Sequence, residues 1–164
     1  MKGKTLYIAY GSNLNLPQMA CRCPTARVVG TSEIKDYELL FKGGRHNAVA
    51  TVEPLKGGRV PVLLWALQEK DLRALDHYEG YPHFYRKEIL DVELKGKTVP
   101  AMAYVMNDGY PFGAPSNYYL NVVQEGYRSA GFDSEILERA VEKSLRLAGE
   151  QRPEPGNRFG LKWW

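Results

Sequence analysis

Between Thr5 and Met106 the chain breaks again and again into apolar runs of strand length, each closed by glycine or proline, and that punctuation restricts what it can fold into. Thr5 to Tyr10 is the first run. Tyr37 to Lys42 ends at Gly43-Gly44, Ala48 to Glu53 ends at a turn over Pro54 to Gly58, and Val60 to Leu67 follows. The runs are rich in Val, Leu, Tyr and Phe, which predicts strands despite imperfect alternation. Phe84 to Leu94 and Thr98 to Met106 predict two longer strands, joined at Lys95-Gly96-Lys97 by a hairpin turn.

Helical signals are fewer. Leu72 and Leu75 share a face of a helix predicted from Glu69 to about Tyr78, with Gly80 as its stop, and a short helical pattern also follows Pro17. Ser116 caps a helix running to about Arg128, and Asp133 caps another running to about Ala148. In the last helix Leu137, Ala140, Val141, Leu145 and Ala148 make one apolar stripe, with Glu135 and Arg139 spaced for an ion pair outside it. Strands first and helices late predict an α+β fold, a mixed and mainly antiparallel sheet with flanking helices. Periodicity leaves open whether the sheet closes into a β-barrel. At 164 residues one domain, 1–164, is the expectation, and its end, Gln151 to the apolar Trp163-Trp164, is expected to pack back onto it.

Charge and cysteine usage narrow the function. The formal charge is +3, but Lys and Arg are interleaved with Asp and Glu and form no dense basic arm. That disfavours nucleic acid as a partner. Cys21 and Cys23 are one residue apart, a spacing that seldom meets disulfide geometry. Grouping them with His46 falls well short of a zinc signature, so no metal site is expected. Met1 to Lys4 leads straight into a strand, without the apolar stretch of a secretion signal, and Val60 to Leu67 is far shorter than a bilayer span. The expectation is a cytoplasmic protein with no membrane partner.

Two segments carry chemistry. Tyr10-Gly11-Ser12-Asn13-Leu14 follows the first strand directly, and a Gly-Ser-Asn turn at a strand end can aim backbone N–H groups into one concavity that holds a carboxylate or an oxyanion. The same residues also make ordinary turns. The second segment runs from Leu75 to Tyr85, with Glu79 at a helix C-terminus among Tyr78, Tyr81, Phe84 and Tyr85. Desolvation and the negative end of the helix both disfavour an ionised carboxyl there, and a raised carboxyl suits general acid and base work. A solvated glutamate is the commoner fate of such a position. His77 and His83, which flank it, are more often structural.

In this order and at this separation, the two segments resemble the γ-glutamylcyclotransferase-like family, whose branches include plant avirulence-induced (AIG2-like) proteins and antibiotic-biosynthesis cyclotransferases of the butirosin type. Arg22-Cys23-Pro24, Val62 through Trp65, Pro115-Ser116, Tyr119 and Gly126 are similar to further family positions, so the resemblance covers most of the chain. It implies a small barrel-like α+β fold and an intramolecular aminolysis of a γ-glutamyl amide that releases 5-oxoproline and an amine or amino acid, with no cofactor. Carried onto this chain, it implies Glu79 as the catalytic proton carrier and Tyr10, Gly11, Ser12, Asn13, Leu14 and Tyr119 as substrate-binding residues. The loop Gly43 to Asn47, with Arg45, is a candidate for specificity. The leaving amine and the oligomeric state stay open, a homodimer included. Two other readings compete: a protein that binds a γ-glutamyl or related ligand without turnover, and an RNA-binding domain that uses exposed tyrosines.

Overall fold

A computed structural model of the chain describes residues 4–151. The expected packing of Trp163-Trp164 falls outside them. Strand β1 (Thr5–Ala9) leads through a 3-10 turn at Ser12–Leu14 into helix α1 (Leu16–Arg22), then β2 (Arg27–Lys42) and β3 (Val49–Leu67). Helix α2 (Glu69–Tyr78), the pair β4 (Tyr85–Leu94) and β5 (Lys97–Met106), and helices α3 (Asn117–Ala130) and α4 (Ser134–Gln151) complete the order.

Local chemistry explains most boundaries. The Asn15 side chain accepts from Gln18 N–H and starts α1, with Pro17 in its first turn. Gln68 and Asp71 form a reciprocal capping box for α2, and Asp71, fully buried, also accepts from the Thr25 hydroxyl at 2.7 Å. Ser116 caps α3 through Tyr119 N–H, and Gly131 at φ 76 ends it. Lys95 and Gly96, at φ 54 and 79, make the two-residue hairpin between Leu94 and Lys97.

The strands form one sheet in the order β2-β3-β1-β5-β4, antiparallel except where β1 runs parallel to β5 at Tyr7↔Met102. The α+β class, mixed and mainly antiparallel, is as expected, but the sheet is not a closed barrel. Its edges, β2 and β4, curl toward each other and meet through side chains, with Lys35 Nζ 3.6 Å from Glu93 Oε2. No backbone ladder joins them among the described residues, and an open cleft of about 820 Å³ runs along the seam, lined by residues such as Ile34, Val92 and Phe132.

Two strands differ from the sequence reading. β2 begins at Arg27, well before Tyr37, and Ala48–Glu53 and Val60–Leu67 belong to one strand that runs through the Pro54–Gly58 turn. Pairing across a bulge makes this possible: the register shifts between Lys35 and Tyr37, Asp36 takes φ 64, and its carboxylate accepts from Gly57 N–H at 2.9 Å. On α4 the buried position after Leu137 and Ala140 is Ser144 rather than Leu145, because Ser144 Oγ accepts from Phe41 N–H at 2.8 Å. The Glu135–Arg139 pair forms at 2.9 Å.

Candidate active site

Beyond Ala9 the chain turns at Gly11, where a side chain would be tightly crowded: a Cβ there would lie 3.0 Å from Ala50 Cβ and 3.2 Å from Tyr119 Oη. One 3-10 turn follows, closed by Leu14 N–H on Gly11 O at 3.0 Å, so the N–H groups of Ser12 and Asn13 have no partner within it. Trp65 Nε1 donates to Asn13 O at 3.2 Å and ties the turn to β3. Tyr119 reaches in from α3, its hydroxyl oxygen accepting from Ala50 N–H at 3.1 Å.

Glu79 caps the C-terminus of α2, directly after Tyr78, its N–H bonded to Leu75 O at 2.8 Å, and Gly80 at φ 65 takes the chain away from the helix. One turn earlier, the Asp76 carboxylate accepts from the Tyr104 hydroxyl and sits 3.0 Å from Lys87 Nζ, which fastens the end of α2 to β5 and β4. Glu79 then lines a cavity of about 220 Å³ together with Tyr10, Gly11, Ser12, Asn13 and Tyr119. Five of the six residues named above for substrate thus surround the same hollow as Glu79.

Leu14 does not. It is fully buried on the other side of the turn, against α3, where a Cβ on Gly126 would stand only 2.6 Å from Leu14 Cβ. Its place is in the core, because a 3-10 turn sends successive side chains to different sides. Tyr78, Phe84 and Tyr85 line the cavity, whereas Tyr81 stands outside it, edge-on to Tyr104 with Lys87 over its ring. Arg45, His46, His77 and His83 are exposed and do not line it. Among the described residues no cluster of His, Cys, Asp or Glu is arranged to hold a metal ion.

Burial is what perturbs Glu79. The residue is only half-buried overall, but its carboxyl group is enclosed, and loss of hydration pushes its pKa up to about 7. The nearby Arg22 guanidinium pulls it back down. Burial also pushes the phenols of Tyr7, Tyr10, Tyr85 and Tyr119 up, and Glu79's charge adds to each, so all four stay neutral. Among the described lining residues there is no Lys, Arg or His, and Glu79 is the sole carboxyl. Such a site can move a proton near neutral pH while neutral donors hold an anion.

Three contributors were not assigned to the site from the sequence. Tyr7 and Tyr104 line the cavity from neighbouring strands, and Arg22 stands behind it, bonded to Asn13 Oδ1 at 2.9 Å with its guanidinium 3.8 Å over the Tyr78 ring. Tyr7 lies just outside the recognisable loop, where adjacency was the only signal, and Arg22 was marked only as part of the family-like Arg22-Cys23-Pro24, with no role attached.

Comparison with known proteins identifies the family. Residues 7–127 match the family model described as gamma-glutamyl cyclotransferase, AIG2-like. The human protein named gamma-glutamylcyclotransferase is 27% identical over 143 residues, covering 82% of this chain and 76% of its own length. Its mouse counterpart is 28% identical over 148 residues, covering 84% and 78%. A solved structure titled gamma-glutamyl cyclotransferase superposes with a TM-score of 0.75 at 26% identity, covering 84% of this chain and 86% of that one. The matched span takes in both the Tyr10–Asn13 loop and Glu79, and the chain belongs to the gamma-glutamyl cyclotransferase, AIG2-like family of enzymes.

Proposed function

We propose that the protein cleaves a γ-glutamyl amide by attack of the substrate's own α-amino group on its γ-carbonyl, releasing 5-oxoproline and a free amine or amino acid. One observation carries the reading: a lone carboxyl group poised near neutrality faces the Gly11–Asn13 turn across a small cavity walled by neutral tyrosines. At about 220 Å³ the cavity lies below the range of drug-sized sites, roughly 300–1,000 Å³, and suits a short acyl group with its leaving portion at the mouth.

The proton traffic requires one such group. Two protons leave the attacking nitrogen as ammonium becomes lactam N–H, and two arrive on the departing nitrogen as amide becomes ammonium. Glu79 in its ionised form takes a proton from the first and, once protonated, gives it to the second. The C–N bond of the ring forms, that of the amide breaks, and atoms and electrons balance without any co-reactant. Ring closure gains from the folded pose that brings amine and carbonyl together.

In this reading the substrate carboxylate is held by neutral donors, the Ser12 and Asn13 segment and the Tyr119 hydroxyl, all of which line the cavity. Tyr10 serves as wall and acceptor, since its proton is given to Tyr104 O. Cys21 and Cys23 are both free thiols, consistent with a reducing, cytoplasmic setting, and among the described residues no helix is long and apolar enough to cross a membrane. Incubation with a panel of γ-glutamyl amines and amino acids, followed for 5-oxoproline, tests the proposal. Binding of these compounds with no 5-oxoproline released would leave a γ-glutamyl-binding protein instead.

A further inference from the structure

The tyrosines around Glu79 divide by where their hydroxyl protons go. Tyr10 donates to Tyr104 O, Tyr85 to Ala50 O at 2.6 Å, and Tyr104 to the Asp76 carboxylate. Those three protons are committed within the protein. Tyr7 and Tyr119 are different: the Tyr7 oxygen accepts from Asn13 Nδ2 at 2.8 Å and the Tyr119 oxygen from Ala50 N–H at 3.1 Å, and among the described residues no group accepts either proton.

The direction of the Tyr7 bond is imposed from outside the cavity. An Asn side chain can turn either its oxygen or its amino group to a phenol, but a guanidinium offers donors only. Arg22 Nη1 lies 2.9 Å from Asn13 Oδ1, which commits the oxygen to Arg22 and the amino group to Tyr7. Arg22 is itself held in place, donating to Gln18 Oε1 at 2.6 Å and to Tyr78 Oη at 2.8 Å. A phenol oxygen that accepts from Asn13 must send its own proton elsewhere. Tyr7 is 3% exposed and lines the cavity with Glu79, so that proton is available to whatever occupies the cavity.

We propose that Tyr7 is a catalytic hydrogen-bond donor to the γ-carbonyl oxygen as that oxygen takes up charge, and that Arg22 is a positioning residue that aims it by fixing the Asn13 amide. The inference rests on the cyclotransferase reading. Because one carboxyl group serves both nitrogens, the γ-carbon between them must sit beside Glu79, and Tyr7 lines the same small cavity as Glu79 and feels its charge. Burial and that same charge hold the Tyr7 phenol neutral, against the smaller opposing effects of the Asn13 hydrogen bond and the Arg22 charge, so it acts as a donor and not as a base. Tyr119, set beside Gly11, is left to the substrate carboxylate.

The test is a cycle of Tyr7→Phe and Arg22→Met, assayed as 5-oxoproline release on the alkaline plateau, where the effect of Arg22 on Glu79 ionisation no longer counts. Tyr7→Phe lowers kcat by about 100-fold and leaves KM within about threefold, the signature of a donor used in the transition state. Arg22→Met lowers plateau kcat by about tenfold in the Tyr7 protein and has no further effect in the Tyr7→Phe protein, because its contribution passes through that hydroxyl. Asn13→Asp keeps the Arg22 contact but turns an acceptor toward Tyr7, so it reproduces the Tyr7→Phe loss; it also provides the answer should Tyr7→Phe fail to fold. A Tyr7→Phe enzyme at parental kcat overturns the donor, and an equal Arg22→Met loss in both backgrounds overturns the relay. A parent protein that yields no 5-oxoproline from any γ-glutamyl compound overturns the cyclotransferase reading instead, an outcome distinct from either.

Discussion

The Tyr78 hydroxyl lies 3.2 Å from Ser12 Oγ, so the residue just before Glu79 touches a loop 66 positions earlier in the chain. Arg22 reinforces the contact by bonding both Tyr78 and Asn13, which ties α1, α2 and the turn after β1 into one polar seam beside the cavity. The proton carrier and the donors facing it are thereby set before substrate arrives, the condition under which fixed dipoles lower a barrier most.

Replacing Glu79 by Gln removes the proton carrier at constant volume. The expected result is a loss of about 1,000-fold in kcat, with affinity for 5-oxoproline measured by calorimetry unchanged within about threefold. Retention of a tenth or more of parental kcat would refute Glu79 as the shuttle.

The pH profile follows from the carboxyl raised to about 7. Glu79 must be ionised to accept the first proton, so kcat/KM rises with pH through about 7 and falls roughly tenfold per unit on the acid side. Arg22 opposes the rise in pKa, so Arg22→Met moves the acid limb to higher pH. A flat rate profile between about pH 5.5 and about pH 8.5 speaks against acid–base control.

Stability carries the opposite sign. Glu79 is raised in the folded state from its ordinary 4.5 to about 7, so the folded protein binds more protons than the unfolded one in that window. Stability contributed by the protonated carboxyl is complete below about 4.5 and is lost as pH climbs through about 7. Glu79→Gln, neutral at every pH, therefore stabilises the protein by on the order of 3 kcal/mol at pH 8 and hardly at all near pH 4.5. Urea unfolding of both proteins at the two pH values checks this, and an identical difference at both excludes burial of a charged carboxyl as the cause.

Gly126 sets how close α3 comes to the turn. A Cβ there would stand 2.6 Å from Leu14 Cβ and 2.8 Å from Leu14 C, distances no packing adjustment absorbs without moving backbone. Gly126→Ala is expected to cost about 1–3 kcal/mol and to raise KM, since the displaced turn carries Ser12 and Asn13. Thermal unfolding with kinetics measures both, and an unaltered Tm would show that α3 can shift freely.

Legibility in the sequence tracked the range of the deciding interactions. Helix α2 and the position of Glu79 at its end were readable because a helix and its stop depend on neighbours a few residues away. The same holds for the Lys95-Gly96 hairpin, which needs only residues tolerant of positive φ. The early half of β2, with Thr31, Ser32, Glu33 and Lys35, was not readable: those polar residues are extended because β3 pairs with them. Likewise nothing local marks Ser144 as more buried than Leu145, since Phe41 N–H, over a hundred positions away, selects it.

The candidate site divides in the same way. The amino-acid order alone determined the glycine turn after the first strand, the carboxyl at a helix end and the aromatic residues near it, because each is a property of a short segment and its backbone preferences. Only the folded chain decided that Glu79 faces the turn, that Leu14 points into the core, and that Tyr7, Tyr104 and Arg22 complete the surroundings. The pKa of a carboxyl, and the direction in which a phenol gives its proton, depend on desolvation and on partners brought together by packing, which no single segment contains.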